Sequence, residues 1–372
     1  MPNYRFFHTG IAFVAASLTA MAIAAPDPVL IGIVSPMTGS TAEYGTEVQE
    51  GVLTAMDTFN AAGGLGGRPY KAVLIDDGCD AKKAVQAANE VIASGIKFAI
   101  GSVCSGAAAS AAKMYAKEGI VTITPGATAP EVTDDIKSHY FFRTIGRDDL
   151  QGTYIATVII AHLKAKKTAL LHDGDTYGAG ITQTVKESLG SFGASIVLHE
   201  AIEPGAKDYS KIIAKLKSLG PDVVFFGGHT AEMGLLLRQA KEQGLQTRFI
   251  GPEGIYSLSL LDIAGSAIDG LLFISPVDFS ARPNNKAIVQ AFQKAQRPAN
   301  GNYQMTAYAA MQVLHESMKA VGTDPKKVAD HMHANRFITS IGPVAFNNKG
   351  DLKNFDFAVF ELDKNGNRKV IR

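Results

Sequence analysis

The chain has 372 residues, and its 36 lysines and arginines stand against 35 acids, a formal charge of +1. A balance this close, with no block of like charges and no basic helix, removes the electrostatic case for a nucleic-acid partner. With 46% hydrophobic and 19% charged residues, the composition suits a globular chain with room for two core-bearing domains.

The first stretch reads as a targeting segment. Arg5 precedes the apolar run Ile11–Ile23, and Ala22-Ile23-Ala24 follows the small-residue cleavage pattern. The run is short for a bilayer span, so residues 1–24 are expected to be a cleaved secretory signal peptide and the mature chain to start near Ala25. Later apolar runs are shorter than a span, so no membrane insertion is expected.

Val29–Val34 is a continuous apolar strand, as a buried parallel sheet demands. A helix from Tyr44 through Ala62 carries Val48, Val52, Ala55, Met56 and Phe59 at helical spacing. Gly63-Gly64-Leu65-Gly66-Gly67 stops it. That run follows a helix and not a strand, so it is a turn and no dinucleotide fingerprint. Strand Lys71–Asp76, helix Ala81–Ile92, strand Phe98–Ser102, an Ala-rich helix to Glu118 that Ser105 is placed to cap, and strand Val121–Thr124 continue the alternation of a doubly wound sheet.

After a short strand at Tyr140–Ile145 a second βα series begins. Its helices are expected at Asp149–Lys164, Ile181–Phe192, Ser210–Leu219 and Ala231–Gln243. Its strands are expected at Thr168–His172, Ser195–Glu200, Val223–Gly227, Phe249–Gly251 and Gly270–Pro276. Two such arrays imply two lobes, each with its own sheet. Three further helices (Asn285–Gln296, Gln304–Val321, Pro325–Ala334) and tail strands at Val344–Asn347, Phe355–Leu362 and Arg368–Ile371 complete the chain.

The strand ends carry the chemistry. Ser105 opens a helix and Thr128 sits in the Pro125-Gly126-Ala127-Thr128 loop, both at the carboxyl edge of one sheet, where ligands bind in open α/β folds. Helix-start N–H groups beside two hydroxyls would suit a small carboxylate; the competing reading is a plain cap and a plain turn. Further loops rich in Tyr, Ser, Thr and Gly follow other strands: Ser40–Tyr44, Asp175–Gly178, Gly227–His229 and Gly251–Gly254. Glu253 there could pair with an ammonium group. Cys79 and Cys104 each follow a strand, and taken as ends of neighbouring strands they are within reach of a disulfide. Ser105 lacks the nucleophile-elbow glycine, phosphate loops are missing, and His331 and His333 diverge on a helix. Neither catalysis, a metal nor a cofactor is therefore expected.

Taken jointly, SPMTGSTAEYG (35–45), GGLGGRPYKAVLIDDGCDAKKAVQAANEVI (63–92), IGSVCSGA (100–107), ITPGATAPE (123–131), HDGDTYGAG (172–180), FFGGHTAEMGLLLRQAK (225–241), FIGPEG (249–254) and FNNKGDLKNFDFAVFEL (346–362) resemble the periplasmic branched-chain amino-acid binding proteins of ABC importers. The resemblance covers essentially the whole mature chain. It implies a type I periplasmic binding protein fold: two Rossmann-like lobes with parallel sheets, joined by three hinge crossovers near Gly146, Pro276 and Asn354. Lobe 1 would comprise residues 25–146 and 277–354, and lobe 2 residues 147–276 and 355–372. It further implies that Ser105 and Thr128 hold a ligand carboxylate, that Gly126, beside Ala127, offers a carbonyl to its ammonium group, and that Glu253 is the counter-ion. Tyr177 would close over the ligand, Tyr44, Val103 and Cys104 would wall its aliphatic side chain, and Cys79–Cys104 would be a disulfide. Gly126 stands where alanine is common and His229 where tyrosine lines the pocket, which suggests a roomier pocket. The implied function is capture of a free leucine, isoleucine or valine by a periplasmic monomer and its delivery to an inner-membrane ABC permease. An amino-acid or amide sensor of the same fold is the alternative, and a hydrolase using Ser105 is a remoter one.

Overall fold

The computed structural model describes residues 1–2 and 26–371; the expected signal peptide lies outside the described residues. Five parallel strands form the first sheet: β1 (Val29–Ser35), β2 (Tyr70–Asp76), β3 (Phe98–Gly101), β4 (Val121–Thr124) and β5 (Phe141–Arg143), in the order β2-β1-β3-β4-β5. The second sheet holds β6 (Lys167–His172), β7 (Ser195–Ala201), β8 (Val223–Gly227), β9 (Arg248–Gly251) and β10 (Leu272–Pro276). A two-stranded ribbon, β11 (Arg336–Thr339) and β12 (Gly342–Ala345), stands apart, and the chain then returns to the second sheet with β13 (Phe357–Leu362) and β14 (Arg368–Ile371). The seven-stranded order is β14-β13-β10-β9-β8-β6-β7. This sheet is mixed and not wholly parallel: β13 pairs antiparallel with β10, and β14 with β13. The last strands arrive from the opposite end because the chain has crossed to the first sheet's helices and back.

In the second sheet, neighbouring residues along each strand fall into opposite cores. Ala169, Leu171, Phe226, Phe249 and Phe273 lie in one; Leu170, Phe225, Ile250, Leu272 and Ile274 lie in the other with Ile181, Val185 and Leu189. Apolar residues on both faces are what a sheet covered by helices on each side requires. The first sheet buries Ile31, Ile33, Ile100 and Ile123 against Val48 and Val52 of the helix Ala42–Ala61, and Met311 and Leu314 of the helix Gln304–Val321 join the same core.

Several expectations shift. The helix expected through Lys164 is α only over Asp148–Thr157 and finishes as a π-helical turn, Val158–His162. The next helix starts at Thr176, so Tyr177 sits in its first turn and not in a loop. Cys104, not Ser105, is the N-cap of the helix Ser105–Glu118. Cys79 and Cys104 are joined in a disulfide with their Cα atoms 5.3 Å apart, but β1 lies between β2 and β3. The bond therefore spans the end of β1 from loop to helix cap and does not link neighbouring strands.

A buried ion network sits where the chain leaves the first sheet. Arg143 is fully buried, and its guanidinium pairs with Asp351 at 2.8 Å. It also donates to the carbonyls of Ala127 (3.0 Å) and Ala129 (3.1 Å) and to the Thr133 hydroxyl (2.7 Å). Arg147 contacts the same Asp351 at 3.1 Å and binds Asp134 at 2.9 Å.

Two measurements follow. Arg143→Met removes the fully buried cation from Asp351, leaving Arg147 as its charge partner, and takes the guanidinium donor from two carbonyls, so urea denaturation is expected to show a loss of roughly 3–5 kcal/mol; a loss below 1 kcal/mol, on the order of a surface pair, would refute this. Thiol titration of the denatured, unreduced protein is expected to find no free thiol. Reduction is expected to lower stability by about 3 kcal/mol for a loop of this size.

Candidate functional site

One small, nearly filled cavity lies between the carboxyl edges of the two sheets, lined by Tyr44, Val103, Cys104, Ser105, Gly126, Tyr177, His229, Glu253, Gly254 and Tyr303. The first-sheet side supplies Val103, Cys104, Ser105 and Gly126 from the loops after β3 and β4, and Tyr44 from the helix after β1. The second-sheet side supplies Tyr177, His229, Glu253 and Gly254 from the segments after β6, β8 and β9. Ala127 and Thr128, expected in the same set, are buried beside the cavity and do not line it. The Ala127 carbonyl is held by Arg143, and the Thr128 carbonyl accepts from the Asp148 N–H at 3.0 Å.

The Ser105 hydroxyl accepts from the Ala129 N–H at 3.2 Å, tying the two strand-end loops together. The same loop is fixed from elsewhere: the Thr306 hydroxyl donates to the Pro125 carbonyl at 2.8 Å. Gly126 does not enlarge the pocket as its missing methyl suggests. A Cβ there would fall 2.2 Å from Val103 Cγ2 and 3.2 Å from the Tyr303 ring, so those side chains already occupy the space. At Gly254 a Cβ would strike the Tyr177 ring at 2.6 Å, and the Gly254 N–H donates to the Tyr177 hydroxyl at 3.0 Å.

Contacts across the cavity hold its two sides together. The Tyr44 hydroxyl donates to the Gly254 carbonyl at 2.6 Å and lies 2.8 Å from the Thr230 hydroxyl. The Glu43 carboxylate accepts from the Leu258 N–H at 2.8 Å. Asn302 donates to the carbonyls of Glu253 (2.9 Å) and Tyr256 (3.1 Å).

The floor is acidic. Burial pushes the Glu253 carboxyl up to about 7, against the opposing pull of the Gln151 amide, the Tyr177 hydroxyl and the His229 charge. Asp148 is fully buried, and burial with the nearby Glu253 charge holds it well above the carboxylate range, although the Thr128 hydroxyl pulls it down. Beyond that mutual contact, the Thr128 hydroxyl and the Asp148 carboxylate have no hydrogen-bond partner among the described residues, nor does the Gln151 side-chain carbonyl. Buried polar atoms are paired in nearly all native structures, so this cluster stands out from the rest of the core. Sequence reasoning missed Asp148, Gln151 and Tyr303, and placed Gly254 only within the loop Gly251–Gly254. Asp148 and Gln151 belong to a helix whose inward face nothing marks, and Tyr303 follows an irregular Pro- and Asn-containing stretch with no strand before it.

His229 is mostly buried and its Nδ1 lies 2.9 Å from Asp173 Oδ2. Burial disfavours the imidazolium, but the hydrogen bond and charge of Asp173, with Asp175 and Glu232 behind it, outweigh that and raise the pKa. Cys79, Cys104 and His229 bring metal-type donors within 4.8 Å of one another. The two sulfurs are bonded to each other, so they offer no thiolates.

A raised pKa means the Asp173–His229 pair stabilises the fold fully below the unfolded value, about 6.5, and that this contribution is lost as pH rises through the folded value. In Asp173→Asn the ring keeps its burial and loses its partner. NMR titration of the His229 ring is expected to place its midpoint below that of the parent; an unchanged midpoint would show the pair to be idle.

The comparisons agree over nearly the whole described chain. Residues 28–367 match the model of the periplasmic binding proteins. The Leu-, Ile-, Val-, Thr- and Ala-binding protein of Pseudomonas aeruginosa is 42% identical over 361 residues, 95% of this chain and 96% of its own. The Leu/Ile/Val-binding protein of Escherichia coli is 38% identical over 353 residues, 95% of each chain. The substrate-binding protein of a branched-chain amino-acid transporter from Streptococcus pneumoniae, solved in complex with isoleucine, shares the fold with a TM-score of 0.84 at 24% identity, covering 93% of this chain and 99% of its own. With two facing sheets, a cavity at their carboxyl edges and a family match from residue 28 to residue 367, the chain belongs to the periplasmic binding protein family.

Proposed function

We propose that this protein captures a free branched-chain L-amino acid between two lobes, divided near residues 146, 276 and 354, and hands it to an inner-membrane ABC permease. The observation that carries the reading is Glu253, a buried carboxylate that lines the same cavity as Tyr44, Val103, Cys104 and Tyr303, with the incompletely paired side chains of Thr128, Asp148 and Gln151 near it. A zwitterion with an aliphatic side chain matches both halves. Ser105 and Thr128 take the carboxylate, the Gly126 carbonyl and Glu253 take the ammonium, and the apolar wall takes the side chain. Burying a leucine-sized side chain contributes about 1.5–3 kcal/mol; the charged ends, which must be desolvated, contribute more to orientation. Relatives named for binding leucine, isoleucine and valine support the ligand class. The protein works as a periplasmic monomer and breaks no bond: the Ser105 hydroxyl accepts from the Ala129 N–H and keeps its own proton to donate to the carboxylate.

Closure follows from ligand contacts made by both sides, because a ligand shifts an equilibrium only by its differential affinity for the two states. Tyr44, reaching from the first side to Thr230 and Gly254 on the second, is the latch.

A thermal-shift screen of the common L-amino acids is expected to single out leucine, isoleucine and valine, since a ligand at 100 times its Kd adds about 2.7 kcal/mol. No shift with these three, and a clear one with a neutral sugar, would overturn the reading. Glu253→Gln is expected to weaken leucine binding by roughly 2–5 kcal/mol without unfolding the chain.

Binding of an ammonium group needs Glu253 charged. With its carboxyl near 7 in the free protein, protons compete below that pH, so leucine Kd is expected to rise about tenfold from pH 8 to pH 6. Calorimetry showing a flat profile would remove Glu253 from the counter-ion role.

A further inference from the structure

We infer that Glu47, which does not line the cavity, is a positioning residue for ligand binding: its buried carboxylate holds the turn Gly301–Tyr303, and through that turn it sets both the Tyr303 wall and the backbone of Glu253. The inference rests on the amino-acid reading above and adds to it the residue that keeps the site in register.

Glu47 stands three residues after Tyr44 on the helix Ala42–Ala61 and is 5% exposed. Its partners are backbone groups. It accepts from the Tyr303 N–H at 2.8 Å, and the Asn302 N–H bonds to it as well. Burial pushes the carboxyl up to about 8 against the pull of those two N–H groups, and the neighbouring charges, Glu43 and Glu50, add to the upward push. Burying an acid away from water is unfavourable unless hydrogen bonds replace the solvent, so the place of this side chain depends on the turn it meets.

The turn needs an acceptor there. The helix Gln304–Val321 begins behind Tyr303, whose side chain makes no capping hydrogen bond. In a capping box the N–H of the residue before a helix is taken by an acid or amide three residues further on. Here that position is Thr306, and its hydroxyl is turned to the carbonyls of Pro125 (2.8 Å) and Tyr303 (3.0 Å). Glu47 reaches in from another helix and takes the N–H instead. The approach requires a glycine: a Cβ at Gly301 would fall 2.3 Å from the Glu47 carboxyl carbon. Three residues further along the same helix, Glu50 accepts from the Gln304 amide at 2.8 Å, and Gln304 Oε1 accepts from the Gly301 N–H at 2.6 Å.

What the turn carries is the site. The Asn302 amide donates to the carbonyls of Glu253 and Tyr256, and its side-chain oxygen accepts from the Ser275 hydroxyl at 2.7 Å. The Tyr303 ring lines the cavity, meets the Tyr44 ring edge-on at 5.7 Å and fills space beside Gly126. Successive residues of one turn thus reach the backbone of the ammonium partner and the apolar wall, and Glu47 grips the N–H groups of both. A turn free to shift would misplace the two together, since hydrogen bonds weaken steeply as their geometry departs from linear.

The test is calorimetry with L-leucine at a temperature where circular dichroism shows each variant folded. Glu47→Ala is expected to raise the leucine Kd roughly 10-fold, on the scale of a buried hydrogen bond lost, although it leaves every cavity-lining side chain in place. Glu47→Gln, of the same length and with a carbonyl for the two N–H groups, is expected to bind within about 3-fold of the parent. Combined with Asn302→Ala, Glu47→Ala is expected to lose less than the product of the two single losses, because the residues act through one turn. Rescue by Gln and a shared loss are results that a role in stability alone would not give. If the parent binds leucine and Glu47→Ala binds it equally well, or Glu47→Gln is as weak as Glu47→Ala, or the double variant shows the full product, the inference is wrong and the amino-acid reading stands. If the parent binds none of leucine, isoleucine and valine, both fall. Should Glu47→Ala fail to fold, Gly301→Ala decides, because its methyl displaces the carboxylate from the turn: weaker leucine binding by the folded variant supports the inference, and an unchanged Kd overturns it.

Discussion

The arrangement depends on one buried cation. Arg143 ends the last strand of the first sheet with no exposed surface. An unpaired guanidinium there would be untenable, so its partners are not optional. Asp351 supplies the charge, and the carbonyls of Ala127 and Ala129 supply acceptors. Those carbonyls belong to the loop whose Ala129 N–H reaches Ser105 and whose Gly126 lines the cavity. The shape of the cavity-lining loop is thus set by a residue that does not itself line the cavity. Arg147 shares Asp351 and continues the network toward the crossover.

Above that frame the site is held by few contacts, most of them between hydroxyls, amides and backbone carbonyls. Tyr44 reaches Gly254 and Thr230, and Asn302 reaches Glu253 and Tyr256. Such neutral hydrogen bonds contribute about 0.5–1.5 kcal/mol each in exchange with water. They can be broken and remade, whereas the Arg143 network cannot be opened without exposing a buried charge.

Much of this was legible in the sequence, for particular reasons. Val29–Val34 and Val223–Gly227 read as buried strands because every residue is apolar or glycine. Tyr44, Ser105, Tyr177, His229 and Glu253 follow strand ends marked by glycine or proline, and strand ends share one edge of a parallel sheet. Asp148 and Gln151 escaped because a helix does not announce which of its polar residues turn inward. Tyr303 escaped because it approaches the cavity from the start of a helix, Gln304–Val321, that no strand precedes. The strand order escaped too. Consecutive strands are neighbours only about two-thirds of the time, and here β1 lies between β2 and β3. The small residue at 126 gave a wrong sense of space, since Val103 and Tyr303 fill it from positions distant in sequence.

The helix Gln304–Val321 shares a core with the helix Ala42–Ala61, and this has a consequence for the order of events as the chain is made. Ribosomes deliver the amino end first, so all five strands of the first sheet emerge while its covering helix is still unsynthesised. The same late segment carries Asn302 and Tyr303 to the cavity. Contacts so far apart in sequence are slow to form, because the intervening loop must close before they reward it. The nascent chain therefore spends most of its synthesis unable to finish either its first core or its binding site, and only the last fifth of translation makes a complete fold available.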